Sequence, residues 1–437
     1  MVSTLVRGSG IVFISQGIGA GLGFILQVCL ARWMGASEYG FYTYVMAWAI
    51  LGGMLTALGF GPGLLRFVPE YKTRKDDSRL KGVLQGSLGV AIATGVSVAS
   101  IASLVIWWLS TQRDIDQMTA IIFGFWVVPF LTVNTLSMNM LRGIRKMTAA
   151  YVPSQIFRPA VILLVAFVVF ASQGYQSLNS ASVLAATIVA LIVVELFAGW
   201  QIHKHLPIGD SSVKATYEIR GWLRVSLPLL LIGGFVKIIK QTDVLMIGLF
   251  LTSADVGFYN AAVKTANLAS FALSSVNGIA APMIASTYVE DDPVKLQKLM
   301  TRITQLVLIP SSLMTIGVIL LSGSILGTFG EEFLQAQGVL IVLAIAQFIR
   351  ATTGPVGHLL ELTGHQDESA RVRAISAFLN IVLNLIGIHL FGIVGAAIAT
   401  ALSIVFEKVW IDLLVKKYIK VNGSLFSQIK ALWMNRK

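Results

Sequence analysis

The chain has 437 residues, of which 56% are hydrophobic and only 12% are charged. Soluble domains carry about 25% charged residues, and a mean hydropathy of +0.79 leaves too little polar surface to cover a globule in water. This composition excludes a soluble protein, a disordered protein and an enzyme held by a single membrane anchor. It predicts an all-α polytopic membrane protein.

The net charge of +12 would suggest a nucleic-acid partner in a soluble protein. In a membrane protein the same excess arises because cytoplasmic loops collect Lys and Arg. We therefore expect membrane lipids around the chain and no nucleic acid. Cys29 is the only cysteine, so an intramolecular disulfide cannot form.

Twelve apolar segments have the length of about 20 residues that a membrane-spanning helix needs. We number them spans 1 to 12, and the sequence places them at about 9–32, 40–65, 83–109, 117–141, 149–172, 180–202, 224–250, 258–287, 302–326, 338–361, 372–390 and 393–415. Spans 11 and 12 are separated only by a predicted turn at Phe391-Gly392. An even number of spans places both ends of the chain on one side of the membrane.

Basic residues determine which side that is. Most of the 33 Lys and Arg residues lie in loops on the side of the two termini, whereas the opposite loops contain only Arg32 and Arg113. The positive-inside rule assigns such loops to the cytoplasm. We therefore predict a multi-pass protein of the cytoplasmic (inner) membrane with both termini in the cytoplasm.

An internal repeat divides the spans into two sets of six. Gly40-Phe41-Tyr42 follows span 1 and recurs as Gly257-Phe258-Tyr259 after span 7, so that Glu38 aligns with Asp255. A weaker match relates the ends of spans 4 and 10. Because the offset covers six spans, the two copies have the same orientation, which predicts two six-helix lobes related by a pseudo-two-fold axis along the membrane normal.

The repeat also suggests boundaries. We predict an N-lobe with spans 1–6, a cytoplasmic linker, a C-lobe with spans 7–12 and a cytoplasmic amphipathic tail, at residues 1–203, 204–223, 224–415 and 416–437. The cargo path is expected between the lobes.

Cations inside the spans are the main candidates for function. Ionisable groups are expensive in hydrocarbon and usually face a cavity or a partner. An excess of cations suits an anionic ligand such as a pyrophosphate. The candidate pyrophosphate-binding residues lie in spans 5, 7, 8 and 10, and they are Arg158, Lys237, Lys240, Lys264 and Arg350.

The alternative is that these cations neutralise buried acids. Lys237 or Lys240 could pair with Asp243, Arg158 with Glu195, and Lys408 with its neighbour Glu407, the last being the reading we favour for Lys408. Asp243 and Glu195 could instead carry a proton or a sodium ion. Two glycine-containing breaks, Gly233-Gly234 and Gly354-Pro355, each lie one turn from a candidate cation and could allow a half-helix to move.

Three segments resemble a known family. They are Leu30-Ala-Arg-Trp-Met-Gly-Ala-Ser-Glu-Tyr-Gly-Phe-Tyr42, Gly59-Phe-Gly-Pro-Gly-Leu-Leu-Arg-Phe-Val-Pro-Glu-Tyr71 and Gly392-Ile-Val-Gly-Ala-Ala-Ile-Ala-Thr400. They resemble the Wzx-type oligosaccharide flippases, the polysaccharide transporter family of the multidrug/oligosaccharidyl-lipid/polysaccharide superfamily. The resemblance implies two six-helix bundles in a V that opens alternately to each side.

The same resemblance implies the cargo and the partners. The cargo would be an oligosaccharide on a polyprenyl pyrophosphate, moved from the cytoplasmic to the outer leaflet for surface polysaccharide biosynthesis. Glycan assembly enzymes are candidate protein partners, and we expect a monomer. No catalytic residue, cofactor or metal is expected, and a proton or sodium gradient is the candidate driving force.

Two other functions stay open. A multidrug or cation antiporter of the same superfamily would resemble its relatives in a carboxylate within span 1, and that span has no acidic residue. A membrane polysaccharide polymerase or ligase would need a long outer loop to hold its acceptor, and the predicted outer loops are short. Both observations favour the flippase.

Overall fold

A computed structural model describes residues 2–110, 117–174, 178–206, 212–290 and 292–423. All regular elements in these ranges are helical. In chain order they are α1 (Val2–Thr56), α2 (Phe60–Arg74), α3 (Asp77–Ser110), α4 (Met118–Gly143), α5 (Met147–Val152), a π turn (Pro153–Phe157), α6 (Arg158–Ser172), α7 (Ser180–His205), α8 (Ile219–Phe250), α9 (Ser253–Ala269), α10 (Phe271–Val289), α11 (Pro293–Leu320), α12 (Ser322–Phe329), a 3-10 helix (Glu331–Ala336), α13 (Gln337–Thr352), α14 (Val356–Leu362) and α15 (Gln366–Ile419).

The helices of the described residues agree with the predicted spans. Eight of them are long and apolar enough to cross a membrane. Two of the eight each hold a pair of predicted spans, because α1 turns at Gly35 and α15 turns at Gly392. Together with α8 and the pair α9–α10, they account for all twelve. The chain is a multi-pass membrane protein.

Glycine makes the two sharp turns possible. Gly35 has a φ of 75° and Gly392 a φ of 57°, in the region of positive φ that side chains disfavour. Beyond the second turn the arms of α15 touch backbone to backbone, since a Cβ on Gly395 would lie 1.8 Å from the carbonyl oxygen of Gly387. The predicted turn at Phe391-Gly392 is confirmed.

Three predicted spans are interrupted. Span 2, predicted at 40–65, ends at Thr56, and α2 begins after a turn in which Leu58 and Gly59 have positive φ. Span 8 breaks at Ser270, between α9 and α10. Span 10 breaks between α13 and α14. Hydropathy could not reveal these breaks, because the sequence is apolar on both sides of each.

The chain forms two compact units, unit 1 at Met1–Lys237 and unit 2 at Ile238–Lys437. The division falls within α8, and the predicted lobe boundaries stay a prediction. Each unit has its own buried apolar cluster. The cluster of unit 1 includes Leu64, Met140 and Trp222, and that of unit 2 includes Met300 and Ile411.

The described part of the predicted linker packs against α3 within unit 1. Lys81 Nζ donates to the carbonyl of Val213 over 2.9 Å, and Arg79 Nη2 lies 3.0 Å from the Glu218 carboxylate. The linker is therefore attached to unit 1 at Val213 and at Glu218. Residues 207–211 lie outside the described ranges, as does the predicted amphipathic tail beyond residue 423.

The chain after α15 returns to α11. The backbone N–H of Asn422 donates to Gln297 Oε1 over 2.7 Å, and Gln297 Nε2 donates to the Asn422 carbonyl over 3.0 Å. Val421 is buried in the apolar cluster of unit 2. The helix itself runs to Ile419, four residues past the predicted end of span 12.

Candidate functional site

Arg158 follows an irregularity in span 5. A π turn at Pro153–Phe157 precedes it, and its backbone N–H donates to the carbonyl of Pro153. Helix α1 packs closely here, since a Cβ on Gly19 would lie 2.9 Å from Gln155. Single π turns inside α-helices are frequent at functional sites. The turn therefore supports Arg158 as a candidate functional residue.

The Arg158 side chain is partly buried and interacts electrostatically with the phenol of Tyr42. Arg158 makes no hydrogen bond or ion pair with any residue that the structure describes. The predicted alternative, a pair with Glu195, is wrong, because the two carboxylate oxygens of Glu195 accept from Asn134 Nδ2 and Ser137 Oγ, each over 2.8 Å.

Asp243 is buried on α8 inside a set of hydrogen-bond donors. Its carboxylate accepts from Tyr259 Oη over 2.7 Å, from Asn384 Nδ2 over 2.8 Å and from Thr400 Oγ1 over 2.6 Å. Lys240 does not pair with it, so that part of the alternative is wrong. Within the described chain Asp243 is a carboxylate surrounded by neutral donors.

The partners of Asp243 were missed from the sequence, although a signal for one of them was present. The repeat aligns Tyr259 with Tyr42, and the structure shows the Tyr259 hydroxyl donating to Asp243. Asn380 and Asn384 lie one helical turn apart in an apolar span, which is a second signal.

Lys240 and Arg350 are neighbours in unit 2 and repel each other electrostatically. Lys240 is exposed on α8, and Arg350 is partly buried near the end of α13. Of the five predicted cations, these two are brought together within one unit. Two adjacent cations on membrane helices form a site suited to a ligand with more than one negative charge.

An ion pair lies beside them. Lys408 Nζ is 2.9 Å from Glu407 Oε1, and both side chains are mostly buried, which confirms the predicted pair. Arg350 is close enough to interact with both partners. A second pair joins Arg373 Nη2 to Glu361 Oε1 over 2.5 Å. Both acids already have cationic partners, so the cluster has an excess of positive charge.

The helix bearing Arg350 is broken at the predicted place. Helix α13 ends two residues after Arg350, and α14 begins at Val356. Gly354, between them, has a φ of 60°, and a Cβ there would lie 2.7 Å from Thr304 Oγ1. By contrast, α8 is continuous through Gly233-Gly234. The proposed movement of these segments stays a prediction.

Glu195 lines a cavity of about 600 Å³ in unit 1. Helices α3, α4 and α7 form its walls, which are apolar apart from Ser137, Glu195 and His203. None of the five predicted cations lines it.

The side chains of Lys237 and Lys264 are exposed. The described residues contain no group of three potential metal ligands.

Sequence comparisons relate the chain to proteins of glycan biosynthesis. The family described as "Polysaccharide biosynthesis protein" matches residues 5–288. The "Probable low-salt glycan biosynthesis flippase Agl15" of Haloferax volcanii is 26% identical over 430 residues, which cover 91% of this chain and 81% of that protein. The "Probable flippase AglR" of the same organism is 28% identical over 167 residues, 37% of this chain and 34% of its own.

Solved structures show the same fold at low identity. An inward-facing multidrug resistance MATE family transporter of the MOP superfamily has a TM-score of 0.73 at 13% identity and covers 98% of this chain and 99% of its own. The lipid II flippase MurJ in an inward closed conformation has a TM-score of 0.69 at 15% identity, over 92% and 87% of the two chains. The expected membrane transporter fold is confirmed.

Proposed function

The chain belongs to the polysaccharide biosynthesis protein family, and we propose that it is a flippase that moves oligosaccharide linked to polyprenyl pyrophosphate across the cytoplasmic membrane by alternating access. The relative that matches most of its length is named a probable glycan biosynthesis flippase. In this proposal the chain acts as a monomeric transporter without catalytic activity, alongside the enzymes that assemble the glycan.

Lys240 and Arg350, two cations of unit 2 that interact electrostatically, carry the proposal. Bringing two like charges together on membrane helices is unfavourable unless a ligand supplies the opposite charge. A pyrophosphate is such a ligand, and a guanidinium can bind two of its oxygens at once. Arg158, Lys237 and Lys264 are the other proposed contacts with the cargo.

The experiment compares Lys240→Ala, Arg350→Ala and Arg350→Lys with the control Arg302→Ala, an exposed cation near the start of α11. We expect Lys240→Ala and Arg350→Ala to lose glycan export in cells and to bind a polyprenyl pyrophosphate sugar at least ~30-fold more weakly when purified, since removing one partner of a charge pair that the bound ligand buries costs about 2–5 kcal/mol. Arg350→Lys should also bind more weakly, because a point charge cannot reproduce bidentate phosphate binding. The control should behave like the parent.

Normal binding by folded Lys240→Ala and Arg350→Ala would contradict the pyrophosphate site. Transport of organic cations by the same preparation, without transport of the lipid-linked sugar, would favour an antiporter instead.

Asp243 is proposed to couple transport to a proton or sodium gradient. It is a buried carboxylate with neutral hydrogen-bond donors and no described cation partner, so that a proton or a small cation can balance its charge. In vesicles, Asp243→Asn should abolish gradient-driven transport and leave cargo binding intact. Parent transport that is indifferent to both gradients would exclude coupling.

The proposed orientation has both termini in the cytoplasm. Accessibility tags within 72–81 should react only from the cytoplasmic side, and tags within 331–335 only from outside. A cytoplasmic signal from 331–335 would contradict the arrangement of six spans in each half.

A further inference from the structure

A polar contact joins the two interrupted spans of unit 2, spans 8 and 10. Helix α9 ends at Ala269 and helix α13 at Thr352, and after each break a second helix continues the span. Gln347 Nε2 of α13 donates to Asn267 Oδ1 of α9 over 3.3 Å. The two amides therefore meet within the last two turns of both helices, shortly before the breaks. Substrates of membrane transporters commonly bind where helices are discontinuous.

The face of α9 that carries Asn267 is polar. Lys264 precedes Asn267 by three residues, so the two side chains lie on one face of the helix, and both are exposed. On α13, Arg350 follows Gln347 by the same spacing. Polar and charged side chains are unfavourable against hydrocarbon and usually face the interior of a bundle or a water-filled space. The amide pair thus has a cation one turn away on each helix, at a face suited to a polar ligand.

The hydrogen bond uses one half of each amide. It occupies the side-chain oxygen of Asn267, whose Nδ2 bonds to no residue that the structure describes. Gln347 is only 9% exposed, and its Oε1 is buried without a donor in the described chain. A buried acceptor without a donor is destabilising, and an apolar side chain at this position would avoid that cost. Stability therefore does not explain Gln347, whereas its effect on Asn267 does, because the bond directs the Asn267 N–H groups outward.

The spacing to Arg350 matches the chemistry of the proposed cargo. Residues three apart on a helix have Cβ atoms about 5–6 Å apart. In a lipid-linked oligosaccharide the first sugar is bonded directly to the pyrophosphate, so a protein that binds both parts needs a second contact close to the first. Arg350 is a proposed contact of the pyrophosphate. A neutral amide one turn away supplies the N–H donors that sugar oxygens can accept.

We propose that Asn267 is a sugar-binding residue and that Gln347 is its positioning residue. The N–H groups of Asn267 donate to an oxygen of the first sugar of the cargo, which belongs to a ring hydroxyl or to an acetamido group. Gln347 holds Asn267 in the required orientation through its bond to Oδ1. This assignment rests on the proposed function, because it takes the ligand to be a sugar on a pyrophosphate lipid. It adds that neutral amides, and not the cations, recognise the sugar.

The test separates the sugar from the pyrophosphate. Full-length protein in nanodiscs is titrated with farnesyl pyrophosphate and with the same lipid bearing glucose, galactose or N-acetylglucosamine on its pyrophosphate. The sugar increment is the dissociation constant of farnesyl pyrophosphate divided by that of the glycosylated lipid. It is measured, together with the unfolding temperature, for the parent, Asn267→Leu and Gln347→Met. The control is Gln337→Met, which removes an amide that donates to Ser322 Oγ over 3.0 Å at the start of the same helix.

We expect the parent to show a sugar increment with at least one of the three sugars. Asn267→Leu and Gln347→Met should reduce it about 3- to 10-fold, because one hydrogen bond is worth about that factor. Their affinity for farnesyl pyrophosphate should not change, since all the cations are retained. Gln347→Met should unfold at the temperature of the parent or above it, because the buried oxygen without a donor is removed. The control should keep the full increment.

An unchanged sugar increment in folded Asn267→Leu would overturn the site, and so would a parent that shows no increment with any of the three sugars. A lower unfolding temperature of Gln347→Met with an unchanged increment would overturn its positioning role. A reduction confined to N-acetylglucosamine would uphold the site and assign the contact to the acetamido group, and a reduction with all sugars would assign it to a hydroxyl.

Flipping assays in proteoliposomes separate this site from the proposed function. A sugar increment that depends on Asn267, without flipping of the same glycosylated lipid, would uphold the site and reject the flippase. Flipping that Asn267→Leu leaves unaltered, together with an unchanged increment, would uphold the flippase and reject the site.

Discussion

Unit 1 and unit 2 place aligned tyrosines near opposite charges. Tyr42 interacts electrostatically with the Arg158 guanidinium, whereas Tyr259, together with Thr400, donates to the Asp243 carboxylate. A hydroxyl group can donate or accept, so one arrangement serves both charges. The difference lies in the remaining neighbours: Asp243 also has Asn384, while Arg158 has no further described partner. Among the described residues, the fold satisfies the carboxylate with three hydrogen bonds and gives the guanidinium none.

Unfolding measurements should give the largest contrast between the two units. Asp243→Ala leaves the donors of Tyr259, Asn384 and Thr400 without their acceptor, and we expect it to lower the free energy of unfolding by about 3 kcal/mol. Arg158→Ala removes a charge that no described partner balances, so we expect a change below about 1 kcal/mol. Thermal or denaturant unfolding in detergent measures both. Equal losses of unfolding free energy in the two variants would mean that other residues of the fold already balance the charge of Arg158.

The ion pair of unit 2 should give an intermediate effect. Lys408→Met leaves the mostly buried Glu407 carboxylate without its nearest cation, although Arg350 interacts with it too. We expect a loss of about 1–2 kcal/mol, less than the 3–5 kcal/mol typical of breaking a fully buried pair. The double variant Glu407→Gln/Lys408→Met should recover most of it. A larger loss in the double variant than in the single one would contradict the pairing.

The aligned acids Glu38 and Asp255 should give the smallest contrast. Glu38 accepts from Gln117 Nε2 over 2.7 Å and from the Ser180 N–H over 2.6 Å, and so connects the starts of α4 and α7 to α1. Asp255 forms a capping box with Thr252 at the start of α9. We expect Glu38→Gln to lower the free energy of unfolding by about 1 kcal/mol and Asp255→Asn by about 0.5 kcal/mol. A larger loss for Asp255→Asn than for Glu38→Gln would show that the cap of α9 contributes more stability than the contacts that Glu38 makes with α4 and α7.

The fold was predictable because hydropathy reports the length of an apolar segment. That property located the twelve spans, and Gly392 located the turn within an apolar segment too long for one span. Gly354-Pro355 likewise indicated the break in span 10, whereas the breaks near Gly59 and Ser270 were beyond this method, because they depend on backbone angles and close contacts between distant segments. The start of α9 at Ser253 rather than 258 follows from the Thr252–Asp255 cap, a local signal present in the sequence.

The sequence predicted which charged residues form the candidate site, but it did not predict their hydrogen-bond partners. Arg158, Lys240 and Arg350 stand out because charge is rare in apolar spans. Whether Asp243 pairs with Lys240 or with neutral donors depends on Asn384 and Thr400, which are 141 and 157 residues away along the chain. A single sequence contains no information about such distances except through the repeat, which did align Tyr42 with Tyr259.

The π turn before Arg158 has a consequence for how this protein can vary. Each residue of an α-helix turns the chain by about 100°, and a π turn contains roughly one residue more than an α turn. Deleting a single residue within Pro153–Phe157 would restore a regular helix and rotate α6 by that angle relative to α5. If the deleted residue were Ser154 or Gln155, Arg158 would then project away from Tyr42 while every apolar residue remained in the sequence. The direction of this charge is therefore determined by the number of residues in one turn, so that insertions and deletions, rather than substitutions, are the changes to which the helix is most sensitive.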